Sequence, residues 1–289
     1  MKPSFAIVGC GKVGTALGIF LSRAGYTIAG FSSKSLSSAR HLAEIVFSDH
    51  FSDIPWDITR HADVVFITTP DSAIEETCSG ISQHEGFADQ AVVLHCSGAL
   101  ASSVLSSAKK RGAWIGSMHP LQSFASTEYR TNPFQGIIFS IEGEDPAVKI
   151  AKTIVSDLSG NAVTLLTEAK TLYHASAVAA SNYLVTLLDL SVQLMEEAGV
   201  NRQDSFSLLK PLIVGTLSNI EKVGVRKALT GPIARGDVKT VKNHLAEIGS
   251  KRPDLLRLYK VLARYTVDIA AAGNAASESI IRELKKMTD

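Results

Sequence analysis

The sequence predicts a doubly wound α/β domain followed by an all-α domain, and three observations carry that expectation. Short, continuous apolar runs alternate with amphipathic helical segments through the first half of the chain. The turn Gly9-Cys10-Gly11-Lys12-Val13-Gly14 follows the first run and opens the first helix. From Glu168 onward nearly every segment has a helical period. Strands covered on both faces read as unbroken apolar runs, and a repeated strand–helix order gives a parallel sheet.

In chain order, strands are expected at 5–8, 27–31, 64–68, 92–96, 114–118, 137–141 and 162–166. Amphipathic helices are expected among them at 13–24, 36–44, 99–110 and 146–158. The second half reads as helices at 170–198, 204–223 (with an internal Pro211), 237–248, 253–273 and 277–286. Residues 230–236, Thr-Gly-Pro-Ile-Ala-Arg-Gly, resist a helix and are expected to form a loop. The change of period places the join at Thr167/Glu168, giving domains 1–167 and 168–289.

Composition narrows the function classes. With 289 residues the chain is long enough for about two domains. A 45% hydrophobic content excludes a disordered chain. Lys plus Arg number 29 against 28 for Asp plus Glu, a net charge of +1. The basic excess of a nucleic-acid or anionic-membrane binder is missing, so small-molecule chemistry is expected. Cys10, Cys78 and Cys96 are too few and too scattered for a disulfide framework or a thiol-only zinc site, and they suit a reducing cytoplasm. The most apolar stretch, 175–195, contains Ser176, Ser181, Asn182, Asp189 and Gln193, so a membrane span is not expected. The apolar run before Gly9 is too short for a signal peptide. A cytoplasmic protein is the expectation.

The glycine turn fits G-x-G-x-x-G between a strand and a helix, the context that makes the pattern a dinucleotide fingerprint. Gly9 permits the tight turn, Gly11 lets backbone approach a pyrophosphate, and Gly14 lets helix and strand pack closely. The N–H groups of Gly11, Lys12 and Val13 then face the phosphates at the positive end of the helix. The second strand ends Phe31-Ser32-Ser33-Lys34, with Arg40 in the next helix, where an NAD site carries a carboxylate. Hydroxyls at Ser32 and Ser33 and cations at Lys34 and Arg40 suit a 2′-phosphate, so NADP is expected; otherwise the two cations are merely solvated.

Ligands of doubly wound sheets bind beyond the carboxyl ends of the strands. Three such ends stand out: Thr68-Thr69-Pro70-Asp71, His95-Cys96-Ser97-Gly98 and Met118-His119-Pro120-Leu121-Gln122. Thr69 and Pro70 are expected at the cofactor. Ser97 either caps the helix beginning at Ala99 or, with the Gly98 N–H, holds a substrate carboxylate or the nicotinamide amide. His95 and His119 either line the crevice or are structural. On the long helix, Lys170, His174 and Ser181 fall within roughly 40° of one another, with Asn182 at the margin of that face. Lys170 and Asn182 lie about 18 Å apart along the axis, too far to share one small carbonyl. Histidine titrates near neutral, so His174 is the first candidate for general acid and Lys170 the second, with Asn182 orienting substrate. No spacing suggests a metal.

Together with Tyr173-His174-Ala175, Asn182-Tyr183-Leu184 and Leu229 to Asp237, these motifs resemble a bacterial Rossmann-like oxidoreductase family. Its helical C-terminal half is catalogued as a domain of unknown function. The family is similar to pyrroline-5-carboxylate reductases, β-hydroxyacid dehydrogenases and ketopantoate reductases. The resemblance implies NADPH-dependent reduction, homodimers packed through the helical domains, and Arg235 holding a substrate carboxylate or else pairing with Asp237. It departs in one place: the related enzymes set an Asn four residues after a catalytic Lys, and here His174 occupies that position. The expected function is NADP-dependent reduction of a small 2-oxo acid or related carbonyl, ketopantoate first. A cyclic imine reductase and a non-catalytic NADP-binding sensor are the alternatives.

Overall fold

The computed structural model describes residues 2–273 and 277–289. Its strands are β1 (Ser4–Val8), β2 (Thr27–Ser32), β3 (Phe51–Ser52), β4 (Val64–Ile67), β5 (Val92–His95), β6 (Trp114–Pro120), β7 (Ile138–Gly143) and β8 (Asn161–Thr164). They form one sheet in the order β3-β2-β1-β4-β5-β6-β7-β8. Helices α1 (Lys12–Arg23), α2 (Leu36–Ile45), α3 (Pro55–Thr59), α4 (Asp71–Gln83), α5 (Ser106–Lys109) and α6 (Asp145–Asp157) follow the strands. Then come α7 (Lys170–Glu197), α8 (Arg202–Val223), α9 (Val238–Lys251), α10 (Pro253–Ala272) and α11 (Glu278–Thr288).

Alternate residues of the central strands feed two cores, which explains their unbroken apolar character. Phe5 and Ile7 of β1, Phe66 of β4 and Leu94 of β5 join Leu17 of α1 and Leu42 of α2 on one face. Ala6, Val8, Val65, Ile67 and Val93 join Ile74 and Ile81 of α4 on the other. Each fully buried side chain of this size contributes roughly 1.5–3 kcal/mol.

The sheet is parallel from β3 through β6 and then reverses. β7 runs antiparallel to β6, pairing Met118 with Ile141 and His119 with Ser140, and β8 is parallel to β7. A loop rather than a crossover helix joins β6 to β7, so the chain returns alongside itself. The short β3 and α3 were not legible as elements in the sequence. The helix expected at 99–110 is reduced to a 3-10 turn (Ser102–Leu105) and the four residues of α5. Its start is held elsewhere: the Ser102 N–H and hydroxyl both donate to the buried Glu142, each at 2.8 Å.

The chain divides into two compact units, Met1–Asn182 and Tyr183–Asp289, so the first turns of α7 pack with the sheet. In the second unit α9, α10 and α11 enclose Val241, Val267, Ala270, Ile281 and Leu284. Asp237 caps α9 by accepting from the Thr240 N–H at 3.0 Å. Along α8, by contrast, Leu208, Leu212, Val214 and Leu217 are exposed. One segment, Thr167–Glu197, is long and apolar enough to cross a membrane by length and composition, and almost none of it is buried.

Candidate active site

A cleft of about 1100 Å³ opens over the carboxyl ends of β1, β2 and β4. Gly9, Gly11, Lys12, Val13, Ser32, Ser33, Lys34, Thr69 and Pro70 all line it. Gly9 has φ +107°, and a Cβ there would meet the Thr68 backbone at 2.7 Å. Gly14 sits behind the turn, where a Cβ would overlap the Gly9 carbonyl oxygen. These two positions accept no side chain, whereas the Cβ position of Gly11 is open. No side chain caps α1, which leaves its first amides to the cleft. The Ser32 and Thr69 hydroxyls line the same cleft, buried and without a hydrogen-bond partner. Unfilled donors at a helix start, with orphaned hydroxyls beside them, fit the phosphates and ribose of a dinucleotide.

Arg40 does not line this cleft; its guanidinium lies over the Phe51 ring, 5.3 Å from the centroid. The cleft also contains residues that the strand-end signals did not single out. Asp53, just after β3, brings a carboxylate, and Phe124 enters from the β6–β7 loop. The same loop is tied to the glycine turn, for the Tyr129 hydroxyl donates to the Lys12 carbonyl at 2.9 Å. A two-residue strand and an irregular loop leave no periodicity by which to find these contacts.

A second cleft, of about 480 Å³, is lined by His119, Leu121, Gln122, Ser123, His174, Ser181 and Asn182, among others. Its floor is Gly98. A Cβ on that residue would lie 2.7 Å from His174 Cδ2 and 2.8 Å from His119 Nε2. The structure thus gathers His119, His174, Ser181 and Asn182, and it leaves His95 and Lys170 elsewhere. His95 is fully buried, with Nδ1 accepting from the Ser97 N–H at 3.1 Å.

Lys170 is 2% exposed and points into the first unit. Its ammonium donates to the Ser97 carbonyl at 2.8 Å and to the Ser117 hydroxyl at 2.7 Å. Burial lowers its pKa to about 8, although Glu142, Cys96 and Asp71 pull the other way. Burial would raise the Glu142 carboxyl, but hydrogen bonds from Ser117, Ser102 and Thr167 hold it below its ordinary value. The Ser97 hydroxyl accepts from Ala99 and Leu100 N–H groups and donates to Asp71 at 2.8 Å. Its capacity is spent on the turn and on Asp71, so any substrate contact displaces one of these bonds. Arg235 lies exposed in the loop before α9, and among the described residues it has no ion pair within 4 Å. Asp237 is engaged with Thr240 instead.

Residues 2–120 match the model of a Rossmann-like domain, and residues 137–266 match that of a domain of unknown function, DUF2520. A solved protein of Thermotoga maritima is 30% identical, with a TM-score of 0.73 over 93% of this chain and 99% of that one. The chain belongs to the family that joins a Rossmann-like domain to DUF2520. A Bacteroides fragilis protein, provisionally named an NADP oxidoreductase, is 26% identical, with a TM-score of 0.75 over 92% of this chain and 98% of that one. A pyrroline-5-carboxylate reductase from Coxiella burnetii, 13% identical with a TM-score of 0.60 over all of both chains, shares the fold. No functionally curated protein matches the sequence. The DUF2520 match begins at β7, so in this chain it takes in the last two strands of the sheet as well as helices α6 to α9 and most of α10.

Proposed function

We propose that this member of the family is an NADP-dependent reductase of a small 2-oxo acid or related carbonyl, with ketopantoate the favoured single substrate. One observation carries the reading: Leu121, Gln122 and Ser123 line the histidine cleft, and the next residue, Phe124, lines the nucleotide cleft. Two clefts sharing one wall suit a donor and an acceptor of hydride. A bound nicotinamide dinucleotide supplies that hydride. The amides of the glycine turn hold its pyrophosphate, and Ser33 and Lys34, with Arg40 beyond the rim, hold a 2′-phosphate. His174 gives a proton to the substrate oxygen as negative charge develops there, while Asn182 and Ser181 orient the substrate. Lys170, bonded to the Ser97 carbonyl, steadies that turn rather than lining the cleft.

Arg235 is assigned the substrate carboxylate, so Arg235→Gln raises KM for 2-oxo acids far more than for uncharged carbonyls. A second copy of this chain is the occupant we assign to the exposed apolar face of α7 and α8, giving a homodimer. Three free cysteines fit a reducing cytoplasm.

Loss of NADPH absorbance across a panel of 2-oxo acids and cyclic imines tests the reading. Turnover of a 2-oxo acid that collapses in His174→Ala supports it. Turnover of cyclic imines alone, indifferent to His174→Ala, makes the protein an imine reductase. Tight NADPH binding with no turnover makes it a sensor.

A further inference from the structure

His119 ends β6 with its two ring nitrogens in different surroundings. Nδ1 lies 3.1 Å from the Tyr173 hydroxyl, and the two rings meet edge-on at 5.7 Å. Nε2 faces Gly98, on the patch of bare backbone that His174 also covers, the histidine centroids being 6.3 Å apart. Ser140, opposite His119 in the β6–β7 ladder, has a buried hydroxyl without a hydrogen-bond partner, available to the Tyr173 oxygen beside it. When Tyr173 donates to Nδ1, the imidazole hydrogen belongs on Nε2, toward the cleft.

We propose that Tyr173 is a positioning residue that sets the tautomer of His119, and that His119 Nε2–H grips the reacting oxygen or nitrogen of the substrate opposite His174. The proposal rests on the reductase reading above. As hydride reaches the substrate carbon, the π electron pair of the double bond moves onto the heteroatom. His119 stabilises that charge by hydrogen bonding and keeps its own proton; the heteroatom takes its proton from His174. The charged surroundings agree with this division. Burial, then Lys170 and His174 on α7, press His119 down to about 4, with Asp71 of α4 opposing, so the ring is neutral near pH 7. Gly98 lets both rings pack on bare backbone, since a Cβ there would collide with each of them.

Nitrogen-15 NMR of the histidine-labelled full-length protein between pH 5 and 8 reads the tautomer directly, with His119→Gln to assign the signal. The expected result is a neutral Nε2–H ring throughout, shifting to a mixture of tautomers in Tyr173→Phe. A neutral Nδ1–H ring in the unmodified protein, or titration near the ordinary histidine value, overturns the proposal even if Tyr173→Phe fails to fold. An unchanged signal in a folded Tyr173→Phe overturns it too. With a substrate from the panel, Tyr173→Phe lowers kcat roughly tenfold with little change in KM. A KM effect alone is the outcome of a structural role and counts against the proposal. A panel without turnover defeats the reductase reading instead, because the tautomer is read without substrate.

Discussion

The ammonium of Lys170 lies 2.8 Å from the carbonyl oxygen of Ser97, although the two residues are 73 positions apart in sequence. This bond ties the first turn of α7 to the turn that follows β5. His174, one helical turn further on, lines the cleft and rests against Gly98. Related enzymes are implied to use a lysine in this region of the helix for chemistry; here it is walled in. Removing it takes the ammonium from the buried Ser97 carbonyl and leaves the Ser117 hydroxyl with Glu142 alone.

Lys170→Met therefore destabilises the first unit by about 1–3 kcal/mol, the cost of stranding buried polar groups. Urea unfolding followed by far-ultraviolet circular dichroism reads this as a lower midpoint. A variant as stable as the parent would show that these hydrogen bonds carry no net stability.

His95 and His119 give the protein an acid dependence. Both pKa values are lowered from 6.5 to about 4, by burial first and by Lys170 next. The unfolded chain therefore binds more protons than the folded one between pH 6.5 and 4. The contribution of the two histidines is complete above 6.5 and falls as the pH drops through that window. The loss approaches about 1.4 kcal/mol per histidine per pH unit where it is steepest. His119→Gln should show a shallower decline than the parent; parallel profiles would remove His119 from the balance.

Gly98→Ala places a methyl against both histidine rings, 2.7 Å from one and 2.8 Å from the other. Neither ring can hold its position. NADPH affinity is expected to stay within about twofold, because the glycine turn lies in the other cleft, while turnover falls by roughly a hundredfold. Joint loss of binding and turnover would mean that the fold, not the cleft, had been damaged.

Lys34 lines the nucleotide cleft, whereas Arg40 stacks over Phe51. Lys34→Ala is accordingly expected to weaken NADPH roughly tenfold and NADH hardly at all, with Arg40→Ala the milder of the two. Titration calorimetry with both nucleotides decides it. Equal losses for both would reject the 2′-phosphate assignment.

Leu212 is 68% exposed on α8, between the exposed Leu208 and Leu217. If a second copy covers this face, Leu212→Glu converts a dimer into a monomer in sedimentation velocity. A parent chain that sediments as a monomer at micromolar concentration would refute the homodimer.

Much of this protein could be read in a line of residues. The apolar runs locate seven of the strands, the exposed β8 among them; for the central strands, burial on both faces of a sheet is a local property of composition. The glycine turn finds its cleft for the same reason: spacing within six residues sets its backbone. Helical period likewise finds Lys170, His174 and Ser181 on a common side of α7, with Asn182 at its margin. What local pattern does not contain is where the chain meets itself. The reversal at β7 follows from a loop standing where a crossover helix would be. The burial of Lys170, the spending of the Ser97 hydroxyl on Asp71 and the pairing of His119 with Tyr173 join residues 26 to 73 positions apart. Such contacts arise only when the sheet order brings β5, β6 and α7 together. The sequence determined which residues are candidates for the chemistry; the tertiary structure decided which of them reach the cleft, because burial and hydrogen-bond partners are set by packing between distant segments.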